Sequence, residues 1–435
     1  TFLEEPHRQN LPLLTSPPTQ YLLFDMARQF DVPTFYKSPI VSVVKEARRI
    51  QDPRKKDLSP SILDFGPVRF NLARHFGFCY GVENAIEIAY KAIEEADGRR
   101  IFLLSEMIHN PHVNEDLISR GIQFLRTTSG KQLIPFEELK PDDMVIIPAF
   151  GTTLETMQLL SDIGVDVEAY NTTCPFVEKV WTRSEKIGSQ DYTVIVHGKR
   201  LHEETRATFS HARSVAPVVV VKDMVEARQL ASVIRGSESK EYFYEQFEGK
   251  YSEGFDVEVD LVRLGVVNQT TMLATETAEI AALLKRALFE RYGNDGISHF
   301  ADTSDTLCYA TNENQDATRR LIDQKADLAL IIGGANSSNT SHLVELCEEH
   351  MPTYFIGGPE SLISRTQIKH FDLHSHDVKH SYDWLPETNP LEILLTAGAS
   401  CPDVLLDRVM SQICSWFPDA SSPETALKPF LEITA

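Results

Sequence analysis

The chain has 435 residues, 42% of them hydrophobic, with 42 Lys and Arg against 63 Asp and Glu and a formal charge of −21. At roughly 100 to 200 residues per domain this predicts two or three domains, or one multi-lobed unit, with no shortage of core. The carboxylate excess argues against a nucleic-acid grip or a polybasic membrane anchor, and no apolar run nears the roughly 18 residues that span a bilayer. Six scattered cysteines, none in a C-x-x-C pair, exclude a disulfide scaffold, a zinc ribbon and a thioredoxin motif.

In chain order, residues 1–66 read as an N-terminal extension. Its first 35 residues carry no chemical signal, whereas Ser38 to Ile50 has the spacing of an amphipathic helix that packs on the rest. The chain begins at Thr1, not Met, which leaves an absent initiator or a trimmed transit peptide open. Beyond residue 67, short apolar runs alternate with helical patterns, the mark of an α/β protein with mostly parallel strands.

One unit occurs three times. A strand (Arg69 to Ala73, Val165 to Tyr170, Ile297 to Ala301) leads to a cysteine (Cys79, Cys174, Cys308) and at once to a helical stripe. The first stripe runs Val82, Ala85, Ile86, Ala89, Ala92, Ile93; the second Phe176, Val177, Val180, Trp181, Ile187; the third Ala310, Ala317, Leu321, Ile322. Then follows a strand (Ile101 to Ser105, Thr193 to His197, Leu328 to Ile332) and a polar loop. The loop keeps its distance from the cysteine: His109 lies 109 − 79 = 30 residues on, His202 lies 202 − 174 = 28 on, and Ser337 lies 337 − 308 = 29 on. A second strand (Ile122 to Leu125, Val218 to Val221, Thr353 to Ile356) and a third close each unit, the third ending in Ile147 to Thr153, Val267 to Thr271 and Leu395 to Ser400.

The spacing therefore predicts lobes over 80–174, 175–307 with an insertion at about 236–257, and 308–415, followed by a tail at 416–435. Residues 67–79 supply the strand that closes the third lobe. Three lobes about a pseudo-threefold axis bring the loops at their strand ends, and the three cysteines, to one central cavity. A helix N-terminus favours thiolate, so three such sulfurs can hold three corners of an iron-sulfur cube with the fourth iron open; a tetrahedral zinc competes. Cys347 and Cys414 fall in apolar helical patterns and read as packing, and Cys401 reads as a neighbour of the cavity.

The motifs Gly77-Phe78-Cys79-Tyr80-Gly81-Val82, His109-Asn110, Thr173-Cys174-Pro175, His202-Glu203-Glu204, Gln269-Thr270-Thr271, Cys308-Tyr309-Ala310-Thr311, Asn336-Ser337-Ser338-Asn339 and Ala397-Gly398-Ala399-Ser400 resemble, in order, those of the 4-hydroxy-3-methylbut-2-enyl diphosphate reductases. Pro148-Ala149-Phe150-Gly151 and the insertion resemble the cyanobacterial and plant branch. The resemblance implies a trefoil with one 4Fe-4S cluster on Cys79, Cys174 and Cys308, and reductive removal of the substrate hydroxyl to give isopentenyl and dimethylallyl diphosphate. It implies Glu204 as proton relay, Thr270 as partner of the substrate hydroxyl, and His109, His202, Ser337, Ser338, Asn339 and Ser400 around the diphosphate, with Asn110 nearby. A ferredoxin or flavodoxin as electron donor, and a bacterial cytoplasm or plastid stroma as compartment, are implied likewise.

Phe150 stands where bacterial members commonly carry His, so one polar contact is lost; either Thr152 or Thr153 replaces it or the wall is apolar there. His75, His112 and His197 read as structural or supporting. Two other readings remain open: a quinolinate-synthase-like three-cysteine enzyme, for which the inferred loops hold few Arg (Arg200 and Arg206), and a noncatalytic iron-sulfur redox sensor.

Overall fold

Residues 30–301 and 308–435 are described by the structure, a computed structural model. Helix α1 (Pro39–Gln51) starts at Ser38, whose hydroxyl accepts from Val41 N at 2.6 Å, with Pro39 pre-set for the first turn. Its stripe of Ile40, Val41, Val44 and Ala47 is buried. Strands β1 (Ser61–Asp64) and β2 (Val68–Leu72) follow as an antiparallel pair.

After Cys79 come α2 (Tyr80–Glu94), β3 (Ile101–Leu103), α3 (Pro111–Ser119), β4 (Gln123–Phe124), β5 (Met144–Ile146) and α4 (Leu154–Ile163). After Cys174 come α5 (Pro175–Gly188), β6 (Thr193–His197), α6 (Glu203–Arg213), β7 (Val218–Val221), α7 (Met224–Arg235), α8 (Lys240–Gln246), α9 (Val257–Asp260), β8 (Leu264–Asn268) and α10 (Ala274–Tyr292). After Cys308 come α11 (Tyr309–Ile322), β9 (Leu328–Ile332), α12 (Ser338–Glu348), β10 (Thr353–Ile356), the strands β11 (Leu362–Ser364), β12 (Gln367–Asp372) and β13 (Asp377–Tyr382), then β14 (Leu391–Ala397), α13 (Asp403–Cys414) and α14 (Pro423–Thr434).

Among the described residues the chain is an α/β protein with three sheets. In each, the first strand after the cysteine lies between the second and the last, all in parallel: β4-β3-β5, β7-β6-β8 and β10-β9-β14. These central strands are buried along their whole length, as parallel strands covered on both faces must be. Each leads into a helix start, α3, α6 or α12. Strand β2 pairs in parallel with β14 and extends the third sheet.

Two expected strands are absent. Between Val165 and Tyr170 the Asp166 carboxylate accepts from the N–H groups of Glu168 and Ala169, which turns the backbone; only Asn171 bridges to Ile147. Over Ile297 to Ala301 the chain completes a 3-10 turn (Gly293–His299), and Phe300 alone bridges to Leu264. The spacing of the cysteines survived because both segments still return the chain to the sheet edge. The structure adds β1, within the extension, and β11 to β13, which the sequence reading had not placed. The insertion packs through Phe243, Phe247 and Phe255 onto the core of the second sheet, and the tail helix α14 lies against α1, with Ala426, Leu427 and Phe430 joining the third sheet's core.

Candidate active site

Cys79, Cys174 and Cys308 are the N-cap residues of α2, α5 and α11, and all three line one cavity. Two are tethered to loops that follow last strands: Cys79 N donates to Ala399 O at 3.2 Å and Cys174 N to Ala149 O at 2.9 Å. Gly81 lets the Cys174 sulfur against the first turn of α2, since a Cβ there would stand 2.5 Å from Sγ. Among the described residues no three His, Cys, Asp or Glu side chains meet closely enough to hold one metal ion, so the thiols line the cavity without converging on a point.

The expected lowering of the thiol pKa values does not occur. Burial raises all three, Cys308 to about 12; repulsion from the other thiols adds to it at Cys174 and Cys308 and from Glu83 at Cys79, while backbone N–H groups of the following helices pull the other way. Three buried thiolates are unfavourable unless cations neutralise them. That donor set, soft sulfur on helix amides, fits a thiolate-held metal cluster.

On the same cavity Glu204, in the first turn of α6, is buried. Its carboxyl accepts from Thr270 N at 2.5 Å and from the Thr270 hydroxyl at 3.0 Å. Burial pushes it up to about 7 against those two bonds. The next residue back, Gln269, ties two sheets together: its carbonyl accepts from the Thr205 hydroxyl at 3.0 Å and Lys199 N at 3.2 Å, and its amide donates to Thr271 at 2.7 Å and Ser338 at 3.3 Å. Sequence reasoning quoted Gln269 only as part of a motif; its place beside Thr270 at the end of β8 was the signal.

His202 caps α6, its Nδ1 accepting from Glu204 N at 3.2 Å. The ring hydrogen therefore sits on Nε2, which faces His109 Nε2 at 3.1 Å. Burial, then His109, Lys199 and Arg206, hold His202 well below its usual pKa, so it is a neutral donor. His109 Nδ1 faces Glu106 at 3.5 Å, and Asn336 donates to the same carboxylate at 2.7 Å.

Ser337 caps α12 and accepts from both Thr340 N and the Thr340 hydroxyl, which leaves its own hydrogen free. Asn339 accepts from Ala399 N at 2.9 Å, and its buried Nδ2 has no partner among the described residues. Ser400 donates to His109 O at 3.1 Å. Ser337, Ser338, Asn339, Ser400 and His109 line the cavity, with His202 behind His109. Cys79, Cys174, Cys308 and Ser337 thus bring four helix N-termini to its wall, a local positive potential inside a chain of charge −21.

Other residues do not reach it. Asn110 caps α3 and accepts from Val113 N. His75 pairs with Glu313, His112 with Glu360, and His197 meets the Thr277 hydroxyl at 2.8 Å. Cys347 and Cys401 are buried in the third sheet's core, and Cys414 packs against it. Tyr309, whose oxygen accepts from Tyr80 N at 3.2 Å, joins two cysteine-bearing helix starts, a role its place in the Cys308 motif did not reveal.

The sequence matches the family model described as LytB protein over residues 70–414. The chain belongs to the LytB family. Its relatives include proteins named 4-hydroxy-3-methylbut-2-enyl diphosphate reductase. That of Trichodesmium erythraeum is 40% identical over 352 residues, 81% of this chain and 86% of that protein, and that of Gloeobacter violaceus 40% over 351, 80% and 83%. The fold is similar to that of the E-1-hydroxy-2-methyl-but-2-enyl-4-diphosphate reductase from Plasmodium falciparum, with a TM-score of 0.59 over 85% of this chain and 100% of that one, at 19% identity.

In this LytB chain Phe150 makes the cavity wall apolar. Thr152 accepts from Arg126 at 2.9 Å and Thr153 caps α4, so neither replaces a histidine. Instead the Phe150 ring stacks on His109, centroids 4.2 Å apart, and meets His202 edge-on at 5.6 Å. Phe150→Leu removes this support. KM for a diphosphate substrate is expected to rise about two- to tenfold with kcat less affected, the equivalent of one aromatic pair; steady-state kinetics checks it.

Proposed function

We propose that this LytB-family chain reduces (E)-4-hydroxy-3-methylbut-2-enyl diphosphate to isopentenyl and dimethylallyl diphosphate, the last step of the methylerythritol phosphate route. The observation that carries the reading is the meeting of three cysteines with Glu204, Thr270, Ser337 and Asn339 on one cavity. Two electrons and two protons enter per turnover, and the hydroxyl leaves as water.

Cys79, Cys174 and Cys308 hold a 4Fe-4S cluster at three corners, between lobes 80–174, 175–307 and 308–415 arranged as a trefoil. When bound, the cluster supplies the electrons and, at its open iron, Lewis-acid help to the departing oxygen. Glu204, raised to about 7 by burial so that a large share carries its proton near neutral pH, delivers a proton. Thr270 orients that carboxyl through its N–H and is placed to hydrogen-bond the substrate hydroxyl. His109, the neutral His202, Ser337, Ser338, Ser400 and the unpaired Asn339 amide bind the diphosphate, which draws further on the helix N-termini.

A low-potential ferredoxin or flavodoxin supplies the electrons. Of the extension, α1 packs with the tail helix α14 on the third sheet's core, while residues 1–29 lie outside the described residues; the protein belongs to the bacterial cytoplasm or plastid stroma. No helix among the described residues is long and apolar enough to cross a membrane.

Anaerobic purification with iron and sulfide analysis, then assay with a reduced viologen, tests the function. Roughly four irons per chain and turnover of the allylic diphosphate are expected for the cubane. An iron-free protein with full activity overturns the reading.

A further inference from the structure

A second pocket backs onto the first. It lies between α1 and the loop before Cys79 and is lined by Lys45, Arg49, Lys55 and Arg74, by Asp52 and Glu313, and also by Cys79 and Tyr309. Cys79 and Ala310 line the central cavity as well, so the two pockets share a wall. Arg74 is about nine-tenths buried; its guanidinium makes one long bond, to Asp52 O at 3.4 Å, and its Nε has no partner among the described residues.

The positive potential extends outward. Residues 45–57 hold six Lys and Arg against three Asp and Glu, the reverse of the chain's 42 to 63, and Arg54, Lys55 and Lys56 are exposed. His75, inside the pocket, reports the same field: after burial, Arg74, Lys55, Lys45 and Arg48 push its imidazole down to about 4. Most of this charge is spent internally, Lys45 on Asp403 at 2.7 Å, Arg48 on Asp57 at 3.0 Å, Arg49 on Glu46 at 2.6 Å and Lys55 on Glu313 at 3.3 Å. Arg74, Arg54 and Lys56 are left facing outward or into the pocket.

We infer that this basic pocket and its rim are the docking surface for an acidic electron-carrier protein, which delivers electrons on the Cys79 side. The inference rests on the reductase reading, which requires two electrons from outside. A small anion would need only the Arg74 recess. The spread of cations onto the exposed Arg54 to Lys56 segment suits several carboxylates of a protein surface, and the lining shared with the central cavity through Cys79 gives the position a purpose. Each one-electron carrier is oxidised once per docking, so two are consumed as one hydroxyl leaves as water.

The test uses a plant-type 2Fe-2S ferredoxin and the full chain carrying Arg54→Gln, Lys55→Gln and Lys56→Gln together, exposed positions outside the active site. Direct titration at low salt is expected to show a Kd for ferredoxin raised about tenfold, as loss of steering charges does. The difference is expected to vanish near 1 M salt, where the Debye length is about 3 Å. Viologen-driven kcat and the KM for the diphosphate stay unchanged. Equal ferredoxin affinity in variant and parent at low salt overturns the docking surface, as does loss of inorganic phosphate binding with ferredoxin binding intact. A parent protein with no viologen-driven turnover instead sinks the reductase reading, and the ferredoxin titration still stands on its own.

Discussion

Glu204→Gln is expected to lower kcat on the allylic diphosphate by about 10²- to 10⁴-fold while iron content and KM change little. Gln keeps the volume, accepts from Thr270 N through its carbonyl and can donate to the Thr270 hydroxyl, so the contact of 2.5 Å persists unchanged and that of 3.0 Å persists with its direction reversed. What it loses is the proton. The carboxyl is held at about 7 because burial outweighs both Thr270 bonds. The donating form therefore dominates below about 7, and kcat falls as pH rises beyond it; the residual rate of the Gln variant has no such limb. Stability carries the same sign. A carboxyl raised from 4.5 to about 7 on folding contributes fully below 4.5, and the contribution is lost as pH rises through about 7. Glu203, likewise raised to about 7, gives a second term of the same sign. Denaturation of the variant at pH 5 and pH 8.5 should show about half the parent's loss between them. An unchanged pH profile of kcat in the variant removes Glu204 from the proton path.

What was legible in the sequence was the periodic part. The strand, cysteine, helix, strand and polar loop recur at nearly fixed intervals, and β3, β6 and β9 each take the central place in a parallel sheet. Residues that must end strands or start helices, such as Cys79, His202 and Ser337, could be located because those positions are fixed by the chain's local geometry. The misses are of another kind. Val165 to Tyr170 has strand-like residues, but Asp166 captured two backbone N–H groups first. The sign of the thiol pKa shift was misread because a helix start is visible in sequence and burial is not. Gln269 and Tyr309 act through contacts with residues 64 to 70 and 229 positions away, which no local pattern encodes. The role of Phe150 was half legible: the loss of a polar group could be read, its stacking on His109 could not.

Alanine at any one of Cys79, Cys174 or Cys308 is expected to strip most of the iron and cut turnover by more than about 100-fold, the upper scale for losing a mere outer-shell partner of a metal ligand. Alanine at Cys347, Cys401 or Cys414 should leave iron and sulfide at the parent level, with at most a stability loss on the order of 1 kcal/mol for one buried atom. The contrast follows from position. All six thiols are pushed up by burial, so acidity does not separate them. Only the first three face one another across a cavity, with helix amides directed at their sulfurs. Gly81→Ala sharpens the test without touching a thiol. A methyl 2.5 Å from the Cys174 sulfur forces that sulfur or the start of α2 to move, so iron should fall although every cysteine is present. If iron is retained at the parent level in Gly81→Ala and in the single Ala variants at positions 79, 174 and 308, the cavity does not hold the cluster, and the ligands must be sought among the other three.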